Sequence, residues 1–93
     1  REKNMIPIVI MSTLKSKKTQ TMIDALHPNV KKIFVTTFDH EHAIDENDIH
    51  VLKHCEFLAF SDIKTMINTF KHDIIILTGS LYFLRKIRQT YEQ

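Results

Sequence analysis

Asp73-Ile74-Ile75-Ile76-Leu77-Thr78-Gly79-Ser80-Leu81-Tyr82-Phe83 decides the reading of the fold. A short apolar run rich in β-branched residues stops at the only glycine of the chain, and a serine then opens a segment with helical spacing. Such a run, lacking alternation with polar residues, predicts a strand covered on both faces, the pattern of parallel sheets flanked by helices. Pro7-Ile8-Val9-Ile10-Met11 has the same character at the other end of the chain. Between these two, Ile33-Phe34-Val35-Thr36-Thr37 and Glu56-Phe57-Leu58-Ala59-Phe60 read as further strands.

Each strand is followed by a predicted helix. Thr19 to Leu26 carries Met22, Ile23 and Leu26 on one side and is halted by His27-Pro28, because proline disfavours helix in the residue before it. Asp45, with Glu46 and Asp48 behind it, places acceptors and negative charge at the start of a helix expected to reach about Cys55. After Ser61, the residues Ile63, Met66, Ile67 and Phe70 define one buried helical face. Leu84, Ile87 and Tyr91 repeat at helical spacing to the end, with Ser80 as the expected N-cap. Four strand and helix alternations imply an α/β domain of three layers, Rossmann-like, with a mainly parallel sheet of about four strands.

Length and composition narrow the function. The 93 residues suit one domain, 1–93, and are too few for two. An apolar content of 43% with 26% charged residues predicts a folded core rather than disorder. Thirteen basic against eleven acidic side chains leave +2, far from a dedicated nucleic-acid arm, so no nucleic-acid partner is expected. The longest apolar runs, Ile6 to Met11 and Ile74 to Leu77, fall well short of the ~20 residues that span a bilayer, so no membrane association is expected. A lone Cys55 and the lack of a signal-type segment favour the cytoplasm. One glycine excludes a glycine-rich phosphate loop. The charged opening Arg1-Glu2-Lys3-Asn4, without an initiator methionine, reads as a cut from something longer.

Ligands of open α/β sheets sit beyond the carboxyl ends of the strands. There the sequence gathers Ser12 to Lys18, Thr37 to His42, Ser61-Asp62 and Thr78 to Ser80. Lys15, Lys17 and Lys18, beside a helix start, could meet a phosphate or carboxylate, or could simply be solvated. His40-x-His42 and the pair His50 and His54, four apart on the second helix, have metal-compatible spacing, but nothing supplies the convergent further ligands of a zinc site. A serine nucleophile is disfavoured because Thr78-Gly79-Ser80-Leu81-Tyr82 lacks the second glycine of a nucleophile elbow. Met5, Met11, Met22 and Met66 read as core fillers. Arg85, Lys86 and Arg88, with Lys31-Lys32, read as a solvated face, since no aromatic platform for RNA is interleaved with them.

In chain order, Ser12-Thr13-Leu14-Lys15-Ser16-Lys17-Lys18, Asp39-His40-Glu41-His42-Ala43-Ile44-Asp45 and Leu77-Thr78-Gly79-Ser80-Leu81-Tyr82-Phe83 resemble the C-terminal domain of Mur-type ligases. The resemblance is strongest to folylpolyglutamate synthase and dihydrofolate synthase. The second segment matches the family's Asp-His-Pro-Arg-Ala-Leu-Asp at four identical positions, and the third closes the last strand as the family's motif does. The resemblance implies an ATP-dependent ligase that adds glutamate to a folate or pteroate through an acyl phosphate. ATP and Mg2+ would be held mainly by an upstream P-loop domain of the same polypeptide, so that this chain alone is inactive and has no catalytic residue of its own. Contacts to nucleotide and glutamate would fall to Lys17, Asp39, His40, His42 and Ser80. Ser16 and Lys18 replace two aspartates of the family's turn, Ser12 replaces a glycine, and His42 replaces an arginine. These departures motivate the alternative of a noncatalytic α/β binding or protein-interaction module of the same descent. The family's Asp-Gly-Ala-His-Asn-Pro strand end does not occur in the chain, so the domain is expected to be partial and its strand order is left open.

Overall fold

The computed structural model describes residues 6–15 and 17–91, so the charged opening, Met5 and Ser16 lie outside the described residues. Strand β1 (Ile8–Ser12) leads into helix α1 (Thr19–Leu26), and a short 3-10 turn, His27–Asn29, carries the proline that ends it; a second such turn, Phe60–Asp62, precedes the third helix. Then follow β2 (Lys32–Thr36), α2 (Glu46–His50), β3 (Glu56–Leu58), α3 (Ile63–Thr69), β4 (Ile75–Gly79) and α4 (Leu81–Tyr91). The four strands form one all-parallel sheet in the order β3-β2-β1-β4, flanked by the four helices, a Rossmann-like α/β arrangement.

Side-chain alternation divides the sheet into two packed faces. Ile8 and Ile10 of β1, Phe34 of β2 and Leu58 of β3 pack with Ile63 of α3 and with Phe83 and Ile87 of α4. Val9 and Met11, with Ile33 and Val35, pack on the opposite face against Ile23 of α1 and Ile49 of α2. Every residue of β1 is buried, as its unbroken apolar run predicts.

Three sequence readings need correction. The run in β4 does not mark burial on both faces: β4 is an edge strand, and Ile74 and Ile76 remain 39% and 44% exposed. Ile75 and Leu77 of β4 pack against the cluster that α3 and α4 cover, while the other side of the strand stays open. The second helix stops at His50 rather than near Cys55. There the Lys53 backbone N–H turns to the Gln20 side chain at 2.7 Å, and His54 takes a left-handed conformation with φ 67°. His54 is therefore off the helix on which the sequence reading placed it with His50; its ring stacks on His27, with centroids 4.1 Å apart. Met22 is not a core filler but lies 37% exposed, whereas Met11 is buried. Among the described residues no helix is long and apolar enough to cross a membrane.

Candidate functional site

The site begins where β1 ends. Ser12 is buried and its hydroxyl donates to the Thr36 carbonyl, which ties the end of β1 to β2. The Thr13 carbonyl accepts from Ile44 N–H at 2.9 Å, Leu14 and Ala43 form an isolated antiparallel bridge, and Lys15 N–H donates to the His42 carbonyl at 2.8 Å. These bonds fasten the loop after β1 to the loop after β2. The third loop joins them through Ser80 N–H, which donates to the Ser12 carbonyl at 3.0 Å. Gly79 permits that approach: its φ is +119°, and a Cβ there would overlap the Ser12 carbonyl oxygen.

β1 and β4 are neighbours whose following helices lie on opposite faces, so a crevice opens between their carboxyl ends, the topological switch point of the sheet. A cleft of about 360 Å³ occupies it, lined by Thr13, Leu14, Lys17, Met22, Gly79, Ser80, Leu81 and Tyr82.

Lys17 and Ser80 therefore meet in one cleft, although 63 positions separate them in the chain (80 minus 17). No ion pair or hydrogen bond engages the Lys17 ammonium among the described residues, while Lys15 is held by Asp45 at 3.2 Å. The Ser80 hydroxyl accepts from Tyr82 N–H at 3.1 Å, the expected N-cap of α4, which leaves its own proton free to donate to a ligand. Thr13 is differently committed, because its hydroxyl pairs with that of Thr19 at 2.7 Å beneath the start of α1.

His40 reaches the cleft through an intermediary. Its ring lies 4.7 Å from the Tyr82 ring, centroid to centroid, and its Nδ1 accepts from His42 N–H at 3.0 Å. With Nδ1 accepting, the neutral ring carries its hydrogen on Nε2 and can donate from there. Asp39 and His42 are not brought into the cleft. The Asp39 side chain is 95% exposed, and its nearest cation, Lys86, is 3.9 Å away. His42 lies 3.0 Å from Glu41 on the outer lip. Tyr82 is the residue that sequence reading missed as a site component. Its position two residues beyond a capping serine, on the first turn of α4, was the available signal.

The cleft presents one cation and a donating hydroxyl with no lining carboxylate, so its residues fit a phosphate or carboxylate group and do not fit Mg2+. Among the described residues no three His, Cys, Asp or Glu side chains gather to hold a metal. Cys55 lies elsewhere, and burial first, with the Glu56 charge second, pushes its thiol up in pKa, which keeps it a poor nucleophile.

Asp45 anchors the rim and shows a pH dependence of determined sign. Its carboxylate accepts from Asp48 N–H at 2.9 Å and pairs with Lys15, and the backbone hydrogen bond foremost, then Lys15, hold its pKa below the ordinary 3.8. A depressed folded-state value means that the contribution is complete above the unfolded value and is lost as pH falls through the folded one. Acid melts from pH 5 to pH 2 should therefore show a steeper loss of stability in the native chain than in Asp45→Asn; parallel curves would remove the cap from this account. No protein family, curated protein or solved structure matches the chain.

Proposed function

We propose that this chain is the C-terminal domain of an ATP-dependent amide ligase of the folylpolyglutamate or dihydrofolate synthase type, which helps place nucleotide and glutamate. What carries the proposal is the meeting of Lys17 with Ser80 in a cleft at the switch point of the sheet, joined to the resemblance of the segments that supply them. In this reading ATP supplies the phosphoryl group that activates the folate or pteroate carboxylate. Lys17 neutralises charge on a phosphate or on the glutamate carboxylate, Ser80 donates a hydrogen bond to the same group, and Tyr82 with His40 forms a wall beside it. Closure of the domain on an upstream P-loop domain, which binds most of the ATP and its Mg2+, would shield the acyl phosphate from water and align the amine. A cytoplasmic location belongs to the same proposal.

In the polypeptide that joins the two domains, Lys17→Ala should raise KM for ATP or glutamate by roughly tenfold or more, the worth of one charge-assisted hydrogen bond. Lys17→Arg should recover much of the loss. Glutamate ligation with folate and pteroate acceptors reads the outcome, and unchanged kinetics in Lys17→Ala would sink the assignment. The pairing of His42 with Glu41, at the place of the family's arginine, favours a second reading as a noncatalytic module of the same descent. That reading wins if no ATP-dependent ligation is found with any acceptor.

A further inference from the structure

We infer that the switch-point cleft selects an acid whose carboxyl group is carried directly by an aromatic ring. This inference rests on the reading of the cleft as a ligand site and narrows it to one substrate class. Among the lining side chains two polar groups are available, the Lys17 ammonium and the Ser80 hydroxyl, because the Thr13 hydroxyl is held by Thr19 at 2.7 Å. The others, Leu14, Met22, Leu81 and Tyr82, are apolar or aromatic. A volume of about 360 Å³ with this lining suits a small organic molecule that has one anionic head and one apolar body. The head is required: an apolar segment of polypeptide laid over the cleft would bury the Lys17 ammonium without a partner.

Other anions match this lining less well. Inorganic phosphate leaves the apolar walls in water. Free glutamate brings an ammonium group, and no lining side chain is negative to receive it. An aliphatic acid must fix several rotors, whereas a carboxyl group on a ring has one. Tyr82 supplies the flat surface that such a ring needs. It is 54% exposed and is backed by the His40 ring at 4.7 Å, which in turn lies 5.9 Å from the ring of buried Phe38. This row of three rings ties the wall to the core, so the platform is in place before a ligand arrives. Met22 adds a polarizable thioether, which packs well at a ring edge. For the proposed ligase this favours a pteroate-type acid, with its carboxyl group on a benzene ring, over a folate, whose carboxyl groups end a flexible glutamyl chain. The phosphate that Lys17 neutralises is then the one carried by that activated acid.

NMR spectra of the chain titrated with 2-naphthoate should shift at Lys17, Met22, Ser80 and Tyr82, with Kd on the order of 1 mM. Acetate, cyclohexanecarboxylate, L-glutamate and inorganic phosphate should each bind roughly fivefold or more weakly. Tyr82→Ala should weaken naphthoate binding by roughly fivefold, and Tyr82→Phe, which keeps the ring, should leave it unchanged. Lys17→Ala should weaken it by about tenfold. Lys17 and Tyr82 are both exposed, so these variants should keep the spectrum of the folded chain. Cyclohexanecarboxylate binding as tightly as naphthoate, indifference to Tyr82→Ala, tighter binding of glutamate or phosphate, or no binding of naphthoate each overturn the inference. So does loss of naphthoate binding in the polypeptide that carries the upstream domain, which would show that more of the chain fills the cleft. The ligase reading fails separately: naphthoate binding without ATP-dependent ligation of any acceptor would sink that reading alone, and ligation by a protein whose cleft ignores the ring would sink the inference alone.

Discussion

Gly79→Ala is expected to destabilise the fold by about 4 kcal/mol, through backbone strain and steric overlap together. A φ of +119° lies outside the conformations that side chains tolerate, and the added Cβ would meet the Ser12 carbonyl oxygen, a backbone atom that cannot rotate away. Relief requires β4 to withdraw from β1 at the last position of their ladder, where Ser12 and Gly79 are partners, and Ser80 N–H would then lose its acceptor. A domain of this length holds only about 5–14 kcal/mol in total, so the variant should unfold at a urea midpoint lower by roughly 3 M. Because the strain sits at the cleft, any fraction that remains folded should also have lost the alignment of Ser80 with Lys17. A shift of less than about 1 M would mean that the two loops do not approach this closely in solution.

Phe83→Ala should cost a similar amount, about 4 kcal/mol, for a different reason. Phe83 is fully buried, and its ring meets Phe38 at 5.6 Å and Phe60 at 6.3 Å, so it joins α4 to the segments that follow β2 and β3. Removing it leaves a cavity bounded by three elements that are already held by their own strands and cannot close in. Phe83→Leu, which keeps most of the volume, should cost about 1 kcal/mol, and Tyr82→Ala, next in sequence but largely exposed, should cost about as little. Urea unfolding of the three variants separates these cases, and equal losses for positions 82 and 83 would contradict the orientation of α4.

Much of the architecture was legible because burial and periodicity agree in the central layer. Ile8 to Met11 sit between two helical layers, so their unbroken apolar run describes their surroundings correctly. Ile74 to Leu77 look the same in sequence, but whether a strand ends up at an edge depends on pairing order, which no local window contains. The residues after His50 keep apolar letters at Val51 and Leu52, yet the helix ends because Gln20, from α1, captures the Lys53 N–H, a tertiary event with no local signature. At the candidate site, the rule that ligands gather beyond the carboxyl ends of strands points to the rim where the cleft lies, and Lys17 and Ser80 share it. That rule does not say which way a loop side chain points. Asp39 and His42 flank His40 closely in sequence, but Glu41 and solvent take them outward while His40 folds back on Tyr82.

The adjacency of β1 to β4 also governs the order in which the chain is completed during synthesis. Ile8 is made 67 residues before its ladder partner Ile75, which at ribosomal speeds of 5–20 residues per second leaves one side of the most apolar strand waiting roughly 3–13 s. Pairing with β2 protects the other side sooner. During that interval the nascent chain presents a sticky half-built edge, and a holding chaperone or slow release from the ribosome would change the yield of folded protein without changing the stability of the finished one.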